Sequence, residues 1–232
     1  MNLRERLRAL SRLLREFRPQ PTFTDRAHAG RMLAALLKDY AGRDDVIVLA
    51  LPRGGVPVAA EVAKALNAPL DVFLVRKLGV PGQPELAMGA LASGNVRVLW
   101  HDTIRAFNIG SDIIEHVTEL ERRELERREQ RYRAGRPAMP LSGRTVILVD
   151  DGIATGASML VAVRAVYALA PRMVIVAAPV ASPEAVFNLQ QEADEVVCCL
   201  APEHLVSIGS WYQDFKQLSD EEVLQILDQF RQ

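Results

Sequence analysis

The chain has 232 residues, 49% of them hydrophobic and 25% charged, with 28 Lys and Arg against 29 Asp and Glu. That balance is normal for a globular α/β domain with a sizeable core; a net charge of −1 argues against nucleic acid as the main partner, and no apolar run approaches the roughly 18 residues of a membrane span. Cys198 and Cys199 are neighbours in an apolar run, which suits neither a disulfide framework nor a zinc site, and the four histidines lack metal-ligand spacing, so a reducing cytoplasm is the expected location.

In chain order, Met1 to Arg18 reads as a basic amphipathic helix. Leu3, Leu7, Leu10, Leu14 and Phe17 share one stripe and six arginines cover the rest. It has no secretory apolar core; packing against the domain or a second subunit is preferred over a membrane-surface or targeting role. Pro19 and Pro21 end it. Thr24 or Asp25 can cap the next helix, whose face is Ala29, Met32, Leu33, Leu36, Leu37 and Tyr40. Val46 to Leu51 is a buried strand feeding Pro52-Arg53-Gly54-Gly55-Val56-Pro57 and a helix to Leu66. An arginine followed by two glycines lets a guanidinium fork and bare backbone N–H groups meet phosphate oxygens together, although Gly-Gly alone is common in βα turns.

Leu70 to Val75 is the second strand, ending in Arg76 and Lys77, and the LGVPGQPE that follows reads as a turn-rich loop. A charge pair there either sits on the ligand edge of the sheet or is ordinary surface charge. Ala87 to Ala92 and Val96 to Trp100 read as strands about a Ser93-Gly94-Asn95 turn. Ser111 to Ala134 is a long charged helix with i,i+4 pairs Glu119/Arg123, Glu124/Arg128 and Glu129/Arg133, read as a solvated face supported by its own ion pairs.

The central stretch is Thr145 to Leu160, TVILVDDGIATGASML. A β-branched run marks a strand buried on both faces; Asp150 and Asp151 end it; a small-residue turn then opens a helix reaching near Ala170. Glycines permit close backbone approach to an anion, and the helix N-terminus adds positive potential. Thr155 and Ser158 add hydroxyls. Two acids beside a phosphate turn point to sugar hydroxyls or hydrated Mg²⁺, since no Walker-type G-x-x-x-x-G-K-[ST] occurs in the chain. Met173 to Val180 and Glu195 to Leu200 are further strands, Ser182-Pro183-Glu184 starts a short helix, and Ser219 with Glu222 forms a capping box. Trp211 and Tyr212 either stack on a flat ring or serve as a plug of the core or a dimer contact.

VILVDDGIATGAS resembles the phosphoribosyl-pyrophosphate (PRPP) motif of the type I phosphoribosyltransferases, with likeness over most of Val46 to Leu200. The resemblance implies an α/β fold with a doubly wound, mostly parallel sheet and a small hood. Around it lie an N-terminal helical extension with its linker (residues 1–21), the main domain (22–218) and a C-terminal helix (219–232). It implies that Asp150 and Asp151 face the ribose hydroxyls and that Ala154, Thr155, Gly156, Ala157 and Ser158 hold the 5′-phosphate. Arg53, Gly54 and Gly55 would take the pyrophosphate. VRKLGVPG is similar to a basic segment that reaches the pyrophosphate in some members, which nominates Arg76 and Lys77 and, more weakly, Glu85; the further lysine of that segment is absent here.

The stretch after the last strands commonly forms a hood over the acceptor, which nominates Trp211 and Tyr212. The implied activity is Mg²⁺-dependent transfer of the 5-phosphoribosyl group of PRPP to a nitrogenous small molecule, with Asp150, Asp151, Arg76 and Lys77 as catalytic candidates and a homodimer as the expected assembly. Ala154 stands where members acting on 6-oxopurines carry an acid, so that acceptor class is disfavoured. A PRPP- or nucleotide-sensing regulator without catalysis is the alternative reading, and a phosphorolytic or hydrolytic enzyme on a related phosphosugar a third.

Overall fold

A computed structural model describes residues 22–230. The helix expected over Met1 to Arg18 lies outside them. Helix α1 (Arg26–Leu36), capped by the Asp25 carboxylate accepting from His28 N–H, leads through a 3₁₀ turn (Lys38–Tyr40) to strand β1 (Val46–Ala50). Then come α2 (Gly55–Leu66), β2 (Leu70–Val72), β3 (Val75–Val80), β4 (Gln83–Ala92) and β5 (Val96–Leu99). A short α3 (His101–Ala106) and the long α4 (Ser111–Arg133) precede β6 (Thr145–Val149), α5 (Ala157–Tyr167), β7 (Met173–Val180), α6 (Pro183–Leu189) and β8 (Glu195–Leu200). A 3₁₀ turn (Ile208–Trp211) and α7 (Asp220–Asp228) complete the described chain.

Five strands form an all-parallel sheet in the order β2-β1-β6-β7-β8. Every residue of β1 and β6 is buried, as expected for strands covered on both faces. Alternation divides them between two cores. Val48, Ala50, Ile147 and Val149 pack with α1, α2, α4 and α7, whereas Ile47, Leu49, Val146 and Leu148 pack with α5 and α6. The sheet is therefore doubly wound.

Two expectations change. LGVPGQPE is no loop: β3 and β4 form an antiparallel hairpin turning at Pro81-Gly82, with Gly82 at φ +78°, and β5 adds a third strand. Turn residues predicted irregularity, but only two of them are needed for the reversal, and Leu78, Val80 and Met88 are buried beneath it. On α1 the buried stripe is Ala29, Gly30, Leu33 and Ala34, continued by Leu37, while Met32 and Leu36 face outward. Gly30 brings α1 against α2, where an added Cβ would lie 2.6 Å from the Val58 carbonyl oxygen. That close approach rotates the helix from the face that hydropathy alone favours.

Candidate active site

From β1 the chain moves outward to β2 and later returns on the other side of β1 as β6. The crevice between the carboxyl ends of β1 and β6 is thus a topological switch point, where open α/β sheets bind ligands. Two loops meet there. An added Cβ on Gly54 would lie 2.0 Å from Asp151 Oδ2, and one on Gly55 would lie 2.6 Å from the Val149 carbonyl oxygen. The glycines let the Arg53 loop lie flat against the acids. Gly156, at φ +76°, turns the second loop into α5, leaving Ala154, Thr155, Ala157 and Ser158 on its rim. Neither α2 nor α5 has a side-chain N-cap. In α2 the Gly55 and Val56 N–H groups donate to the Leu51 and Arg53 carbonyl oxygens and Pro57 has no N–H, whereas in α5 the Ala157 N–H makes only a long bond to Thr155 Oγ1, at 3.4 Å, so the α5 N-terminus is the one that can receive an anion.

Asp150 accepts from the Asp151 N–H at 2.8 Å. Desolvation, followed by the neighbouring charge of Asp151, raises the Asp150 carboxyl well above the ordinary carboxylate range. Desolvation raises Asp151 as well, and Arg26 opposes it: Nε donates to Asp151 Oδ2 at 2.8 Å, and both side chains are largely buried. The Arg26 guanidinium lies 3.8 Å from the Phe215 ring centroid and donates to the Lys216 carbonyl oxygen.

Beside Asp150 is a cavity of about 140 Å³, lined by Pro52, Arg76, Arg128, Tyr132, Asp150 and Ser158 among others. Its cations rest on carboxylates. Arg76 donates to Glu121 at 2.6 Å and Arg128 to Glu124 at 2.7 Å, both acids on α4. Arg127 and Arg128 hold the Glu124 carboxyl down to about 2. Tyr132 Oη donates to Asp220, the first residue of α7, which also accepts from Arg131 and lies 3.9 Å from Arg53. A crevice with two carboxylates on its floor and arginines around its rim suits an anionic sugar phosphate: acids for hydroxyl donors, cations for phosphate oxygens.

A family model for the phosphoribosyl transferase domain matches residues 23–213. The chain belongs to the phosphoribosyl transferase family. Two curated Mycobacterium tuberculosis proteins, provisionally named phosphoribosyl transferases, are 47% identical over 206 residues, covering 89% of this chain and 46% of theirs. The chain thus spans about half the length of these curated relatives. The crystal structure of TT1426 from Thermus thermophilus is also similar, with 46% identity, a TM-score of 0.80, and coverage of 90% of this chain and 98% of that one.

Within this family frame the structure brings Arg53, Gly54, Gly55, Arg76, Asp150, Asp151 and the 154–158 loop to one crevice. It separates others. Arg76 lies within β3 instead of ending β2, so Lys77 points to the opposite face, is exposed, and does not line the cavity. Glu85 falls within β4. Tyr212 offers no free ring face: it is 5% exposed, packs between Phe23 and Phe215, and donates to the Asp151 carbonyl oxygen. Burial, followed by the nearby Asp151 charge, raises its phenol. The Trp211 carbonyl oxygen accepts from Thr22 and Phe23 N–H, which fixes the start of the described chain against the second 3₁₀ turn. Neither Arg26 nor Arg128 belongs to a motif visible in the sequence. One is separated from its partner by 125 residues, and the other is fully accounted for by its helical ion pair.

Proposed function

We propose that the chain transfers the 5-phosphoribosyl group of PRPP to a nitrogenous small molecule with release of pyrophosphate. The observation that carries this reading is the Gly54–Asp151 contact, which packs a pyrophosphate-type loop directly against the paired acids. Displacement at the anomeric carbon passes through an oxocarbenium-like state, so the protein's work is positioning and electrostatics rather than covalent chemistry. In this reading Asp150 and Asp151 accept from the ribose hydroxyls and face the developing positive charge. The 154–158 loop and the α5 N-terminus hold the 5′-phosphate, and Arg53 with the Gly54-Gly55 backbone orients the departing pyrophosphate. Arg26 favours the ionised form of Asp151 against its desolvation and aims the carboxylate.

Mg²⁺ fits these residues in one way. Among the described residues no cluster of three or more His, Cys, Asp or Glu forms a cage. A pair of desolvated, mutually repelling carboxylates instead suits an ion that keeps its waters and is held jointly by protein and substrate oxygens. When bound, it would supply Lewis acidity at the pyrophosphate oxygens. Among the described residues no helix is long and apolar enough to cross a membrane.

The test is calorimetric titration with PRPP and Mg²⁺, followed by pyrophosphate release across purine, pyrimidine and small amine acceptors. Acceptor-dependent release is the expected result. Binding without release from any acceptor would favour a PRPP sensor, and absence of PRPP binding would remove the reading.

A further inference from the structure

We infer that Arg128, on the inner face of α4, is a diphosphate-binding residue of this site. The inference rests on the phosphoribosyl-transfer reading and adds to it a residue from an element that carries none of the sequence's phosphate motifs. Arg128 lines the same cavity as Pro52, Arg76, Asp150 and Ser158, so it borders the space between Pro52, next to Arg53, and Asp150. Tyr132, one helical turn further along α4, lines that cavity too and donates to Asp220, which faces Arg53. The inner face of α4 therefore runs beside the pyrophosphate loop.

The resting partner of Arg128 is easily exchanged. Glu124 accepts two bonds from Arg127, at 2.8 and 2.9 Å, and one from Arg128, at 2.7 Å. When a phosphate oxygen takes Arg128, Glu124 keeps its bidentate partner and is not left unpaired. The Arg128 side chain is 42% exposed and its pair belongs to a surface ladder, so the bond to Glu124 contributes little to folding. Arg76 also rests on a carboxylate of this helix, donating to Glu121. Two guanidinium groups lining one cavity, one from β3 and one from α4, each bonded to a carboxylate of α4, match a diphosphate, whose charge is spread over two phosphoryl groups.

The experiment is isothermal titration of the full chain with inorganic pyrophosphate plus Mg²⁺, with PRPP plus Mg²⁺, and with ribose 5-phosphate. It compares wild type, Arg128→Ala, Arg128→Lys and Glu124→Gln, with thermal unfolding as a check that each variant folds. Arg128→Ala should weaken pyrophosphate and PRPP by about tenfold or more while leaving ribose 5-phosphate within about twofold. Arg128→Lys should fall between Ala and wild type, and Glu124→Gln should tighten pyrophosphate. Wild-type affinity for pyrophosphate in a folded Arg128→Ala overturns the inference alone, as does a loss confined to ribose 5-phosphate. Weakening by Glu124→Gln in parallel with Arg128→Ala marks the pair as structural and also overturns it. A wild type that binds neither pyrophosphate nor PRPP overturns the transferase reading with it.

Discussion

Gly54 has no room for a side chain. Its φ of −60° is open to any residue, so the demand is purely steric: Asp151 Oδ2 occupies the position of a Cβ. Gly54→Ala should push the carboxylate or the Arg53 loop aside and lower kcat/KM by about 10²-fold, comparable to losing one preorganised donor. Its stability loss should stay within the roughly 1–3 kcal/mol of overpacking. Steady-state kinetics beside urea melts check both. Asp150 poses the opposite balance. Its carboxyl is raised by desolvation and by Asp151, so the folded protein holds that proton to higher pH than the unfolded chain, where an Asp titrates near about 3.9. The contribution is complete below about pH 4 and is lost as pH rises through the raised folded value. Asp150→Asn should therefore flatten the decline in Tm with rising pH and raise Tm at neutral pH by about 2–4 °C for each kcal/mol of relieved repulsion. Turnover should fall at least about 10²-fold. A variant that is both less stable and fully active would contradict this account of the acid pair.

At the scale of elements, the site is joined by contacts between segments far apart in the chain. Helix α1 reaches the acids through Arg26, and the segment after the second 3₁₀ turn reaches them through Tyr212, with Phe23, Tyr212 and Phe215 packed together around this junction. Arg26→Ala leaves Asp151 largely buried without its cation, a loss expected to cost roughly 3 kcal/mol at neutral pH. Because removing Arg26 raises the Asp151 carboxyl further, protonation should relieve the deficit in acid. Denaturant melts of this variant should thus show a larger deficit at pH 8 than at pH 5. Tyr212→Phe keeps the ring packing and removes one bond to a backbone carbonyl, for a loss of about 1 kcal/mol. Its readout is the amide-exchange protection of the 208–215 segment, which should fall more than that of β6.

For the whole molecule, the doubly wound sheet sets the crevice by placing β1 beside β6 and burying both on two sides. Ile147, fully buried at the centre of β6, tests whether the scaffold and site separate. Ile147→Val should cost about 1 kcal/mol, and Ile147→Ala about 2–5 kcal/mol, with KM for PRPP unchanged in whatever fraction stays folded. Melting curves and kinetics on the same samples decide it.

Sequence alone determined the parts that depend on local chemistry. β-branched runs gave β1, β6 and β7, because a strand buried on both faces has to be apolar throughout. The DDGIATGAS and PRGG segments marked the two loops, because small residues permit the close approach seen at Gly54 and the left-handed turn seen at Gly156. Only tertiary structure decided the rest. Pairing of β3 with β4 turned an apparent loop into a hairpin and sent Arg76 and Lys77 to opposite faces. Helix packing brought Arg26 to Asp151 and Arg128 to the cavity beside Asp150, and burial placed Tyr212 under the acids instead of leaving its ring free. A side chain's partners across more than a hundred residues depend on how helices dock and sheets twist, and no local pattern encodes that geometry.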